Sequence, residues 1–353
     1  MLRKLKYIPF LVLAWIVYSC GKTIPRFEDF PKIDAHVHIE TVDPAVMEFA
    51  KKENFKFITI CTGSDNQEFI DGQLHFAKAQ KTHAPNDFEY TTTFSMEGFE
   101  QPGWLEGVIE RLAEDFDQGA LGIKVYKDIG MTFRDSLGNF IMIDDQRFDP
   151  IFNFIEKEGK LVVGHLGEPK NCWLPIDSMT VNGDKAYYEN NPEFHMFKHP
   201  DHPSYDEQIA ARDNRLEMNP NLKFMGAHLG SMEWNVDEMA KRLDKYPNFT
   251  VDMAARISHF QLQDSKKVHD FIRKYQDRIV YATDFTITND DNYEQVFTEI
   301  KEEWRSDWNY FSTSNIMSIS GTDKTFKGLA LDEKVLEKIY YKNVYRWFPG
   351  AFE

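Results

Sequence analysis

An α/β fold, a TIM-type (β/α)8 barrel, is predicted by three features of the chain. Short apolar runs rich in β-formers alternate with amphipathic stretches along nearly all of its length. Connections of that length join parallel strands, and eight such units close most simply into a barrel. The polar residues best suited to bind a metal fall at the C-terminal ends of the runs, which in a barrel share one mouth. A doubly wound sheet is the rival, but it would hold the ends of the first and last strands apart.

The elements follow in order. The first strand, 32–38, runs Lys-Ile-Asp-Ala-His-Val-His and leads into an amphipathic helix over 44–53. The second strand, 55–61, carries Phe55, Phe57, Ile58 and Ile60. The third is placed at 90–94. Leu105, Val108, Ile109 and Leu112 recur at helical spacing and mark a helix over 106–117. The fourth strand is 121–126, with a helix over 148–157, and the fifth is 160–165. A helix over 205–214 precedes the sixth strand at 222–228. Helix 235–245, strand 249–252, helix 265–275 and strand 278–283 complete the series. Two stretches interrupt it. Residues 167–204 hold Trp173, Tyr187, Tyr188, Phe194, His195, His199 and His202 without clear periodicity. Following strand five, they are expected to form a long lid loop over the mouth. Residues 289–321 are expected to be an insertion after strand eight, with Trp304, Trp308, Tyr310 and Phe311 packed mostly on the barrel's flank.

Bulk properties narrow the function. The chain has 353 residues, 42% hydrophobic, and a net charge of −16. A sizeable core is within reach and global disorder is not. No basic stripe is available to neutralise phosphates, so no nucleic-acid partner is expected. At the N-terminus Arg3, Lys4 and Lys6 precede an apolar stretch from Tyr7 to Val17, then Val17-Tyr18-Ser19-Cys20-Gly21. This reads as a signal peptide over 1–19, with the apolar run too short to span a membrane. Cys20 resembles the lipidated cysteine of a bacterial lipobox, although Val17 and Tyr18 depart from its usual residues and leave ordinary signal-peptidase cleavage as an alternative. The expected product is an exported protein on the periplasmic side, anchored to the membrane only through lipid. Residues 20–30 form the tether and 31–353 a single domain. Cys61 and Cys172 make no disulfide framework.

The candidate site rests on five residues. His36 and His38 stand at i and i+2 of a strand, so both imidazoles can reach one ion. Val163-Gly164 runs into His165, Gly226-Ala227 into His228, and Ala282-Thr283 into Asp284. Histidines plus a carboxylate suit a borderline divalent ion such as zinc, or manganese, with a position left for water. A single such histidine is more often a hydrogen-bonded core residue; the ordered set reverses those odds. Substrate-side candidates are Lys124 at the end of strand four, Arg256 beyond strand seven and Glu97 beyond strand three, each with an ion pair as its plain alternative. His195, His199 and His202 suit a surface or lid role better than a second metal site.

The segments Ile-Asp-Ala-His36-Val-His38, Gly-His165, Gly-Ala-His228-Leu-Gly-Ser and Ala-Thr-Asp284 resemble the amidohydrolase superfamily. The ending Ile339-Tyr-Tyr-Lys-Asn343-Val-Tyr-Arg346 is similar to the closing helix of its amidohydrolase-related branch, which includes lactonases and decarboxylases. The resemblance spans about residues 31–348. It implies that His36, His38, His165 and Asp284 hold the ion. Asp284 would act as general base toward the water that the metal activates, and His228 would polarise the substrate carbonyl or approach a second ion. In binuclear relatives a lysine at the position of Lys124 is carbamylated and bridges two ions; otherwise it binds substrate or forms an ion pair, and one ion is expected. The leading expectation is a metal-dependent hydrolase of a lactone, cyclic amide or ester carbonyl in a small-molecule substrate. A metal-dependent non-oxidative decarboxylase and a non-catalytic ligand-binding lipoprotein are the alternatives, and the oligomeric state stays open.

Overall fold

The computed structural model describes residues 25–318 and 322–353. The expected leader and Cys20 lie outside the described residues. Parallel strands β1 (Lys32–Glu40), β2 (Phe55–Ile60) and β3 (Phe88–Thr91) form one sheet together with β9 (Thr286–Thr288). A second sheet runs in order through β4 (Gly122–Val125), β5 (Leu161–Gly164), β6 (Lys223–Gly226), β7 (Phe249–Asp252) and β8 (Ile279–Val280). The two sheets join into one barrel. A parallel bridge between Thr92 and Ile123 links β3 to β4. On the other side the Ala35 and Asp284 amides donate to Tyr281 and His36 carbonyls at 3.2 and 2.9 Å. With β8 and β9 counted as halves of one strand, the predicted TIM-type barrel is the fold observed.

Its interior is filled by Ile33, Ala35, Ile58, Ile60, Leu161, Val163, Met225 and Val280. Val344, Trp347 and Phe348 of the closing helix plug the N-terminal end and leave the C-terminal end free for chemistry. A larger apolar layer lies between strands and helices. This is why residues of buried parallel strands are apolar on both faces.

The sequence underread three regions. The helix Gln67–His83 has weak apolar periodicity because Gln73 and Gln80 interrupt its buried stripe. The Gln73 amide is paired at both ends with the Thr62 backbone, and Gln80 Nε2 donates to the Thr41 and Asp43 carbonyls. The expected insertion after strand eight is instead dominated by a 20-residue helix, Tyr293–Ser312, which follows the last barrel strand. Trp304 on it is fully buried and stacks on Phe55 with centroids 3.8 Å apart. Likewise the stretch after β5 is ordered into short turns and the helix Asn182–Asn190. Its Cys172, Met179, Tyr188 and Met196 form a small core with Met131 of the segment after β4. No helix among the described residues is long and apolar enough to cross a membrane.

Candidate active site

The histidine pair on β1 depends on a bulge. Asp34 pairs with Phe57 and Val37 with Thr59, so three steps on β1 match two on β2. Simple alternation would keep the odd-numbered side chains, Ile33 and Ala35, facing the barrel interior along the whole strand. The extra residue flips the phase, a common device beside active sites. His36 and His38 therefore turn into the mouth while Val37 packs outward into the helix layer.

His228 and Asp284 are aimed by backbone of a different kind. His228, Leu229 and Ser231 have φ of 57, 58 and 55°, and Asp284 has φ of 74°. Non-glycine residues hold this left-handed region only where surrounding contacts over-determine it. At His228 those contacts include the Asp252 carboxylate, which accepts the His228 and Ala254 amides at 2.7 and 3.2 Å. Gly226 permits the turn, since a Cβ there would lie 2.7 Å from the Gly230 Cα.

These elements bring all five side chains together. One Asp284 oxygen lies 3.3 Å from His36 Nε2 and 3.2 Å from His38 Nε2, and the other lies 3.9 Å from His228 Nδ1. Ring centroids run 5.0 Å from His36 to His228 and 4.2 Å from His228 to His165. One ligand atom from each of His36, His228 and Asp284 falls within 4.8 Å of the others. The trio includes His228, for which the resemblance implied a place beside the substrate carbonyl or a second ion, because its left-handed turn swings the imidazole inward. His165 stands beyond it, with a buried Nε2 that has no hydrogen-bond partner.

The electrostatics favour neutral imidazoles and an ionised carboxylate, the states that bind metals. Burial pushes His165 down to about 4 and holds His228 well below its usual range. Burial and then Lys124 lower His36. Burial by itself would raise Asp284, but His228, His38 and His36 outweigh it and hold the carboxyl well below its ordinary value. Lys124 is fully buried on β4, its Nζ 3.0 Å from His36 Nε2, and burial brings it down to about 8. A lysine this close to neutrality is readily deprotonated.

Three supporting groups are absent from the sequence reading. Asp252 Oδ2 accepts from His36 Nδ1 at 2.9 Å, which fixes that ring's tautomer and turns Nε2 toward Asp284. Glu168 pairs with Lys127 and brings its second oxygen 3.4 Å from His165 Nε2. Lys127 holds that carboxyl well below its ordinary value against the effect of burial. Each is a lone acid or base in its own segment, and no spacing rule singles it out.

A cavity of about 560 Å³ opens above the five residues. Lys124, Tyr126, Lys127, Arg256 and the 181–188 segment line it, so the stretch after β5 roofs the mouth. Arg256 spends one N–H on the Ala255 carbonyl at 2.9 Å, and its Nε is buried without a partner. Glu97 is a correction: it is exposed and lines a different cavity, beside Trp104 and Arg111. The chain past β3 runs outward there, and the Met96 amide is tied to the Ser64 carbonyl. His195 is buried with Nε2 bonded to the Leu174 carbonyl at 2.8 Å, so it braces the roof.

Among solved structures, the chain is similar to 2,6-dihydroxybenzoate decarboxylase in complex with 2,6-dihydroxybenzoate, at 14% identity and a TM-score of 0.53, over 90% of this chain and 98% of that one. The 2,6-dihydroxybenzoate decarboxylase from Rhizobium gives 14% identity, the same coverages and a TM-score of 0.50. A putative 2-pyrone-4,6-dicarboxylic acid hydrolase from Pseudomonas putida is more distant, at 11% identity and a TM-score of 0.48, over 92% of this chain and 98% of that one. At these identities the likeness shows the barrel fold alone. No curated protein matches the chain. The sequence model described as amidohydrolase matches residues 98–350, which takes in His165, His228 and Asp284 and leaves the β1 histidines to be supplied by the fold, and the chain belongs to that family.

Proposed function

We propose that this amidohydrolase-family enzyme is a metal-dependent hydrolase acting on a lactone, cyclic amide or ester carbonyl. The observation that carries this is the placement of Asp284. It faces the cavity ionised, one oxygen shared between His36 and His38 and the other turned to His228. The residues fit a divalent ion: His36, His228 and Asp284 would hold it, with His38 on the shared oxygen. His165 adds a buried nitrogen whose charged neighbour is the Glu168 carboxylate at 3.4 Å. Such an ion, when bound, makes water a nucleophile near neutral pH and polarises a carbonyl. Asp284 accepts a proton at the carboxylate and returns it to the leaving group. Asp252 keeps His36 oriented throughout.

A second reading is non-oxidative decarboxylation. Arg256 favours it, because a guanidinium with unused donors on the cavity wall suits a substrate carboxylate. The likeness to 2,6-dihydroxybenzoate decarboxylase agrees with it. Metal-replete protein should be assayed against lactones, cyclic amides and unsaturated or aromatic acids. Carbonyl hydrolysis supports the first reading, and carbon dioxide release without hydrolysis replaces it with the second. Protein that binds no divalent ion would overturn both in favour of a ligand-binding role. Export with a lipid at Cys20 belongs to the same proposal, on the basis of residues 1–21.

A further inference from the structure

We infer that Asp34 is a positioning residue for Asp284 and acts on it through Thr283. The bulge that turns His36 and His38 into the mouth leaves Asp34 on the outer side of β1, fully buried. Its carboxylate holds Thr283 twice: Oδ1 accepts the Thr283 amide at 3.1 Å and Oδ2 accepts the Thr283 hydroxyl at 2.7 Å. That hydroxyl in turn accepts the Phe285 amide at 3.4 Å. Asp284 is thus bracketed by two tethered neighbours, while its own amide donates to the His36 carbonyl at 2.9 Å. Its φ of 74° is what such over-determination sustains. One strand therefore supplies the imidazoles on one side and, on the other, the brace for the carboxylate they meet. A one-residue register change would lose both together. Asp34 touches neither the cavity nor a ligand, so its effect is on geometry.

The merely structural alternative is that Asp34 staples β1 to the helix Tyr293–Ser312, since Trp304 Nε1 also approaches Oδ2, at 3.4 Å. The inference rests on the metal reading of the site, and the test keeps the two separable. Asp34→Asn, Thr283→Val, Thr283→Ser and Trp304→Phe would be loaded with cobalt(II). The visible spectrum reports ligand geometry and competition titration reports affinity. Asp34→Asn and Thr283→Val should keep the native circular dichroism, change the cobalt spectrum and weaken affinity on the order of 10- to 100-fold. Thr283→Ser should restore the native spectrum, and Trp304→Phe should leave it unchanged. Native spectrum and affinity in both Asp34→Asn and Thr283→Val would overturn the inference. If Asp34→Asn does not fold, Thr283→Val carries the same test. A native chain that takes up no cobalt would sink the metal reading alone. The crystal structure of Asp34→Asn or Thr283→Val then decides the inference: Asp284 leaving the left-handed region supports it, and Asp284 unmoved overturns it.

Discussion

At the scale of residues, the roles proposed for Asp284 and Lys124 can be tested apart. Asp284→Asn keeps the side-chain volume and removes the proposed proton acceptor. We expect kcat to fall by about 10²–10⁴ with near-native unfolding, read from steady-state kinetics on whichever substrate class turns over. Lys124 Nζ already occupies the space beside His36 Nε2. If it binds substrate, Lys124→Ala raises KM and leaves metal content unchanged; if it is a carbamate bridge, metal analysis shows the loss of one of two ions. One ion in the unmodified protein is the expected result. The histidines also predict an acid sensitivity. His165 is held at about 4 by burial, and His36 and His228 are lowered in the same sense. Between the unfolded value near 6.5 and the folded value, the unfolded chain binds more protons, so stability falls as pH drops through that window. For His165 the full effect is about 3 kcal/mol. Urea midpoints measured from about pH 7 down to pH 4.5 should decline, and less steeply in His165→Gln. A midpoint flat across that range would count against neutral buried imidazoles.

At the scale of elements, the helix Tyr293–Ser312 shows how a misread segment can be central. Its sequence is crowded with Glu and aromatic residues, and Trp304, Trp308 and Phe311, expected on the barrel's flank, lie on the buried side of one long helix. Trp304 meets Phe55, Phe49 and Phe285, so Trp304→Ala should cost about 3–5 kcal/mol, checked by denaturant unfolding. The roof after β5 was legible as position but not as structure. Its turns are held by Cys172, His195 and Asp184 through contacts at long sequence separation, which a local pattern does not carry. The strands were easier because their apolar runs are continuous. Only their ends moved: β3 begins at Phe88, and β8 stops at Val280 so that the chain can turn before Asp284.

At the scale of the whole molecule, the chain carries a charge of −16 and is proposed to be tethered through Cys20. Cys20→Ser should abolish fatty-acid labelling and shift the protein from the membrane fraction to a soluble or unprocessed form; unchanged labelling would remove the tether. The sequence by itself determined the alternation of strand and helix, hence the barrel, and the presence of candidate ligands at four strand ends. Those depend on local composition and on the rule that parallel strands end together. Only the tertiary structure decided how the ligands meet. The β1 bulge, the left-handed turns at His228 and Asp284, and the carboxylates of Asp34, Asp252 and Glu168 are set by contacts between distant segments. Glu97 was lost from the site, and His228 moved toward the ligand set, for the same reason. A side chain's direction at a strand end depends on backbone torsions beyond the strand, and periodicity ends where the strand does.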